Sequence, residues 1–334
     1  MRKHFFILTF CLFILLKTWI FTTVIFSSRH PVPGGNILIS IPPGQSASQI
    51  GKILADSGLS ISPRIFSIAA IITGNDDKLG SGVYSIGPDF TLRELFSTLR
   101  KGQGYSIPVR ITEGARLNEV ARKISSELGL EESLILKLVK DSAFVDSLLP
   151  GESSLEGFIY PDTYMFPVNT NERKVLRSMV ERFSQIFNDS MIEKANMIGL
   201  SMRDAVILAS IIEKEARVPM ERKLISAVFH NRLRLRRPIE SCATIRYIMN
   251  KPTEPLTYQD LEVRSPYNTY LNLGLPPGPI CNPGKASLEA AVSPAKVDYL
   301  YFVSRGDGTH IFSRTLTEHN FAKRKIKGAN KGIN

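Results

Sequence analysis

The sequence predicts an α+β protein carried on an N-terminal transmembrane helix. Three observations predict this. Residues 5–26, FFILTFCLFILLKTWIFTTVIF, are an apolar run broken only by Lys17. Residues 36–130 use a short strand–turn–helix pattern more than once. Beyond them the chain follows helical periodicity from about residue 172, then returns to strand-like sequence after Ser293–Pro294.

The apolar run is long enough to span a bilayer. Arg2, Lys3 and His4 precede it, so residues 1–4 form a cytoplasmic tail and the body is exported. Lys17 costs roughly 2.5–3.5 kcal/mol at the bilayer centre, and its side chain can snorkel to the interface. The rival reading is a cleaved signal peptide with Phe5–Leu16 as its apolar core. No small-x-small cleavage site follows Phe26, which favours an uncleaved anchor. Residues 27–35 then form a linker containing RHPVPGG.

The chain has 334 residues, 43% of them hydrophobic, enough for one large or two ordinary cores. Its 42 Lys and Arg against 31 Asp and Glu leave a net charge of +11, which favours an anionic partner. No RNA-binding aromatic motif, zinc-finger spacing or Walker loop is present, so nucleic acid is not the expected partner. Of the three cysteines, Cys11 lies in the anchor and Cys242 and Cys281 in the exported body. A disulfide is permitted there, but two free thiols are the simpler reading.

In the first strand–turn–helix unit, Ile37, Ile39 and Ile41 alternate as a strand does. Gly44 marks a turn, and Ser46 or Ser48 caps a helix carrying Ile50, Ile53 and Leu54. The pattern returns 70 residues later, with Val109, Ile111, Gly114, Val120 and Ile124 at the matching positions. Between them, GVYSIGPDFTLRELFSTLRKG gives a third unit with Thr91 as helix cap. Next, LEGFIYPDTYMFP (155–167) is rich in aromatics and turn formers.

Ser201 and Asp204 fit a capping box, and the helix after it is predicted to run from Ala205 to about Arg217. Residues 205–209, 211 and 212 are apolar, which predicts burial nearly all round. The helix then ends in Glu213 and Glu215 around Lys214. Glu213 shares its face with the smaller Val206, Ala209 and Ser210, leaving room for something to approach. Glu215 shares its face with Leu208, Ile211 and Ile212. A carboxyl held out of water favours its protonated form, the form a general acid needs. The structural alternative is a solvated helix end with Glu213 paired to Arg217. A second helix starts at Pro219 and carries Asn231 on its buried side. Arg232, Arg234, Arg236 and Arg237 read as a solvated basic face.

The segment SPYNTYLNLGLPPGPICNPG (265–284) brings Tyr267, Asn268 and Tyr270 beside a Pro/Gly-stiffened loop. Aromatic rings stack on sugar faces, and an Asn amide bonds hydroxyl or N-acetyl groups. Glycan positioning is therefore the candidate role of Asn231, Tyr267, Asn268 and Tyr270, with packing and turn formation as the alternative. Two strands are predicted around Gly306–Asp307–Gly308. His310 and His319 have no acidic or thiol partner at ligand spacing, so no metal or cofactor is expected.

Taken in order, LEGFIYPDTYMF, LASIIEKEA, FHNRL, SPYNTYLNLGLPPGPICNPG, YLYFV and HIFSRTLTEHN resemble the endolytic murein transglycosylase (MltG or YceG-like) family. The resemblance implies a single-pass inner-membrane protein with a periplasmic body. It implies a LysM-like subdomain over residues 36–105 and a catalytic domain over 106–325; residues 326–334 then form a basic tail. It implies Glu213, the first acid of the EKE motif, as the catalytic residue. Where family members carry Asp-Pro-Thr, this chain has Cys242, Ala243 and Thr244. The implied activity cuts the β-1,4 bond between N-acetylmuramic acid and N-acetylglucosamine within peptidoglycan strands, leaving 1,6-anhydro ends. The implied partners are peptidoglycan and the synthases at the membrane, whose nascent strands it would terminate. A water-adding muramidase and a non-catalytic wall binder are the competing classes.

Overall fold

The structure is a computed structural model that describes residues 23, 26–32, 35–101, 104–251 and 254–331. The expected span over 5–26 lies outside the described residues, apart from Thr23 and Phe26. Among the described residues no single helix is long and apolar enough to cross a membrane. The chain divides into two compact units: Met1–Pro108 with Met165–Thr170, and Val109–Tyr164 with Asn171–Asn334.

In the first unit, β1 (Arg29–Pro31) pairs antiparallel with β4 (Asp89–Thr91), and β2 (Ile37–Ile41) with β3 (Gly82–Ile86). Helices α1 (Ala47–Asp56) and α2 (Pro63–Ile72) lie between β2 and β3 in sequence, and α3 (Leu92–Arg100) follows β4. Both predicted caps are present. Ser46 closes a capping box with Gln49 on α1, and Thr91 closes one with Glu94 on α3. Ile39, Ile50, Leu54, Phe66, Tyr84 and Leu99 form the centre of this unit's core.

Strands β5 (Ser106–Arg110) and β6 (Thr163–Pro167) pair as another two-stranded sheet. The second unit is mainly helical. It contains α4 (Leu117–Leu128), α5 (Glu132–Leu138), α6 (Ser142–Asp146), α7 (Glu172–Ile186), α8 (Asp189–Met197) and α9 (Met202–Glu215). Then come a 3-10 turn (Pro219–Glu221), α10 (Arg222–Arg234), α11 (Cys242–Met249) and α12 (Lys285–Val292). The antiparallel pair β7 (Tyr301–Ser304) and β8 (His310–Ser313), then α13 (Leu316–Lys331), complete it. The molecule is therefore α+β with small sheets.

Helix α9 is the axis of this unit. It starts at the Ser201–Asp204 capping box, and every residue from Ala205 to Ile212 is buried. It packs against α12 and α10. Ser210, fully buried, donates its hydroxyl to Ile207 O at 2.7 Å and accepts the Ile280 N–H at 3.0 Å. A polar residue in the apolar run thus ties the Pro/Gly loop to the helix that ends in the two acids.

Candidate functional site

Three cavities of the second unit are joined through shared lining residues, and Glu215 lines two of them. The first, about 370 Å³, is lined by Glu215, Glu240, Cys242, Tyr270, residues of β7, and His319 and Lys323 of α13. The second, about 220 Å³, shares Glu215 and Cys242 with it and adds Arg116, Lys214, Arg217 and Arg246. The third, about 480 Å³, meets the second at Arg116 and contains Glu156, Arg203, Tyr247 and Tyr267.

Glu215 is the last residue of α9 and is half-buried. Its Oε1 accepts the Ser241 hydroxyl and, at 3.3 Å, the Ala243 N–H. Ser241 is the N-cap of α11, so these two bonds tie the end of α9 to the start of α11. Both bonds fall on one oxygen. Among the described residues Oε2 has no hydrogen-bond partner.

Glu213 is placed differently. Its side chain is 8% exposed, and it lines none of the three cavities. Oε2 accepts the Gly284 N–H at 3.0 Å, and Oε1 lies 3.6 Å from Arg222 Nη2. The expected i,i+4 partner Arg217 is replaced by Arg222, because α10 turns back along α9 and brings its first residue to this face. The small residues on the Glu213 face do leave room, and the NPG loop fills it. A Cβ on Gly284 would run into the Glu113 side chain, which would have to move aside.

The four proposed positioning residues separate into two pairs. Tyr270 lines the first cavity, with its hydroxyl 3.1 Å from Cys242 Sγ. Tyr267 lines the third and packs on Tyr247 with ring centroids 5.1 Å apart. Asn268 and Asn231 face inward. Asn268 is fully buried, donates to Leu261 O and Val263 O, and accepts the Tyr270 N–H, which builds the turn. Asn231 donates to Val297 O and Tyr299 O. Of the expected solvated basic face, Arg234, Arg236 and Arg237 are exposed, and Arg232 is the exception. It is 7% exposed and donates to Leu300 O, Pro238 O, Ile239 O and Glu240. The carbonyls at the edge of β7 and in the 235–240 turn need a donor, and Arg232 supplies it.

Two residues that the sequence did not single out organise the site. Asn282 is fully buried. Its Oδ1 accepts Gly157 N–H at 2.9 Å and Ile159 N–H at 3.0 Å, and its Nδ2 donates to Ala115 O at 2.8 Å. One side chain thus joins the NPG loop, the LEGFIYP loop and the turn before α4. Its place in the ICNPG motif is the sequence signal that marks it. Glu156 is buried, accepts the Leu117 N–H at 3.2 Å, and burial pushes its carboxyl up to about 7. Among the described residues Cys242 is an exposed free thiol and Cys281 a buried one. His310, without a partner by spacing, bonds Glu221 at 2.6 Å.

The model of the YceG-like family matches residues 39–325, which include every element of this site from Arg116 to Lys323. The chain belongs to the YceG-like family. A curated relative from Bacillus subtilis (strain 168), named endolytic murein transglycosylase, is 33% identical over 306 residues, covering 86% of this chain and 84% of that protein. A protein of the same name from Streptococcus pneumoniae serotype 2 (strain D39) is 30% identical over 302 residues, covering 80% of this chain. This YceG-like chain spans about half of the pneumococcal relative, 54% of its length. Among solved structures, a crystallised yceG-like protein of Listeria monocytogenes superposes with a TM-score of 0.61 at 33% identity, over 85% of this chain and 98% of that one.

Proposed function

We propose that this YceG-like protein is an endolytic murein transglycosylase whose acid/base is Glu215. The observation that carries the assignment is the position of Glu215 where two cavities meet, with one oxygen anchored on the α11 N-terminus and the other free. Space on both sides of the acid suits cutting inside a strand. Protonated, Glu215 gives its proton to the leaving glycosidic oxygen. The resulting carboxylate then takes the proton of the muramyl 6-hydroxyl as that oxygen attacks the anomeric carbon. The nucleophile is tethered to the substrate, so proximity replaces a second protein carboxylate. The product is a 1,6-anhydro end. Tyr270 and Tyr267 offer ring faces to sugars on the two sides.

In this reading, residues 5–26 anchor the enzyme in the inner membrane, with its body in the periplasm. There it trims strands as the membrane synthases extend them. The β2–α1–α2–β3 order of the first unit supports a LysM-like role in holding glycan. The test uses the full-length chain on intact peptidoglycan, with mass spectrometry of new ends. The parent yields anhydro ends. Glu215→Gln loses about a hundredfold to ten-thousandfold in rate, the size of an acid/base contribution. Glu213→Gln keeps most of the rate and melts at lower temperature. The reverse ranking would return the role to Glu213, and reducing ends would make the protein a muramidase. A parent that makes no new ends would leave wall binding as the function.

A further inference from the structure

Helix α2 is apolar on two opposite sides. Phe66, Ala69 and Ala70 are buried in the core of the first unit, while Ile65, Ile68, Ile71 and Ile72 are 45%, 54%, 61% and 59% exposed. At the helical advance of about 100° per residue, the four isoleucines fall in one sector roughly 120° wide, turned away from the core. A concentrated apolar face on a water-facing helix marks a contact surface. What covers it is indicated at its C-terminal end. Ile72 lines a cavity of about 690 Å³ together with Arg93, Arg100 and Lys101, all exposed. Among the described residues none of these three cations forms an ion pair. Phe26 lines the same cavity and packs on Phe96 with centroids 6.0 Å apart. Phe26 is also the last residue of the membrane-length apolar run.

We propose that α2 and the basic cavity at its end form a docking surface for an anionic phospholipid bilayer. The isoleucines enter the boundary between headgroups and acyl chains, and Arg93, Arg100 and Lys101 meet lipid phosphates, the pattern of an interfacial helix with basic flanks. The proposal rests on the anchor reading of residues 5–26, which brings the bilayer to Phe26. A protein partner would cover the isoleucines but would not account for three unpaired cations where the chain meets the membrane.

The test reconstitutes the full-length chain in vesicles of phosphatidylethanolamine and phosphatidylglycerol with brominated acyl chains. Trp19, the only tryptophan, reports the anchor. In a Trp19→Phe background, Ile68→Trp reports α2, and Met197→Trp, at a position 80% exposed in the second unit, is the control. We expect the tryptophan at 68 to be blue-shifted and to lose fluorescence to bromine, the control to do neither, and Gln at 93, 100 and 101 to restore fluorescence at 68. An unquenched, water-like emission at 68 overturns the proposal, whatever Trp19 shows. A blue shift without bromine quenching overturns it in favour of a protein surface. Quenching at 68 without quenching at Trp19 upholds the docking surface and sinks the anchor.

Discussion

Glu156 shows how much one buried acid can control. Its carboxyl rises to about 7 because burial penalises the charged form. At low pH both folded and unfolded chains hold this proton and the acid costs nothing. Between the unfolded value near 4.5 and the folded value near 7, the unfolded chain releases the proton first, so stability falls as pH rises. Above that window the loss is complete, at roughly 3 kcal/mol as an upper bound. Glu156→Gln keeps an oxygen for the Leu117 N–H and removes the penalty. Its melting temperature should exceed the parent's by several degrees at about pH 8 and match it at about pH 4, read by thermal denaturation at both pH values. The paired acids of α9 mark the limit of reading residues from sequence. The buried run ending in EKE places both acids at the end of α9. Which acid meets the cavities depends on Arg222 and Gly284 closing over Glu213, and on the α11 N-terminus facing Glu215. Those partners are distant in sequence, so helical spacing could not choose between the two.

Local chemistry made several elements legible. Gly44 and Gly114 occupy matching places in the repeated strand–turn–helix units and adopt φ of 76° and 75°, a conformation glycine enters without strain. The caps at Ser46, Thr91 and Ser201 stand where predicted. The hairpin around residues 306–308 also formed. Long-range pairing was not legible. Nothing local tells β1 to pair with β4, or α12 to lie along α9. The loops fall in the same class, because a residue such as Asn282 reads as a turn former until its partners are known. Asn282→Ala leaves the buried N–H groups of Gly157 and Ile159 without an acceptor. Each such loss costs about 1–3 kcal/mol, so the denaturant midpoint should drop by an amount worth roughly 3 kcal/mol or more. Amide exchange at Gly157 and Ile159 should quicken before exchange in α9.

At the scale of the whole molecule, the excess of positive charge was plain from composition and fits an anionic, peptide-bearing polymer. Its contribution should be screened by salt. Raising NaCl from about 50 to about 300 mM shortens the Debye length to below 10 Å, so KM for peptidoglycan should rise with kcat nearly constant in steady-state assays. The two cavities that meet at Glu215 also have a consequence for the polymer. With Glu215 as the proposed acid, room on both sides means that no chain end is needed, so each internal linkage is an equally good target. Cleavage then resembles random scission. Average strand length would fall steeply after very few cuts, and fragment lengths would decay smoothly instead of forming a ladder of single repeats. A small amount of such an enzyme would set the mean length of the strands in a wall while releasing almost no soluble sugar.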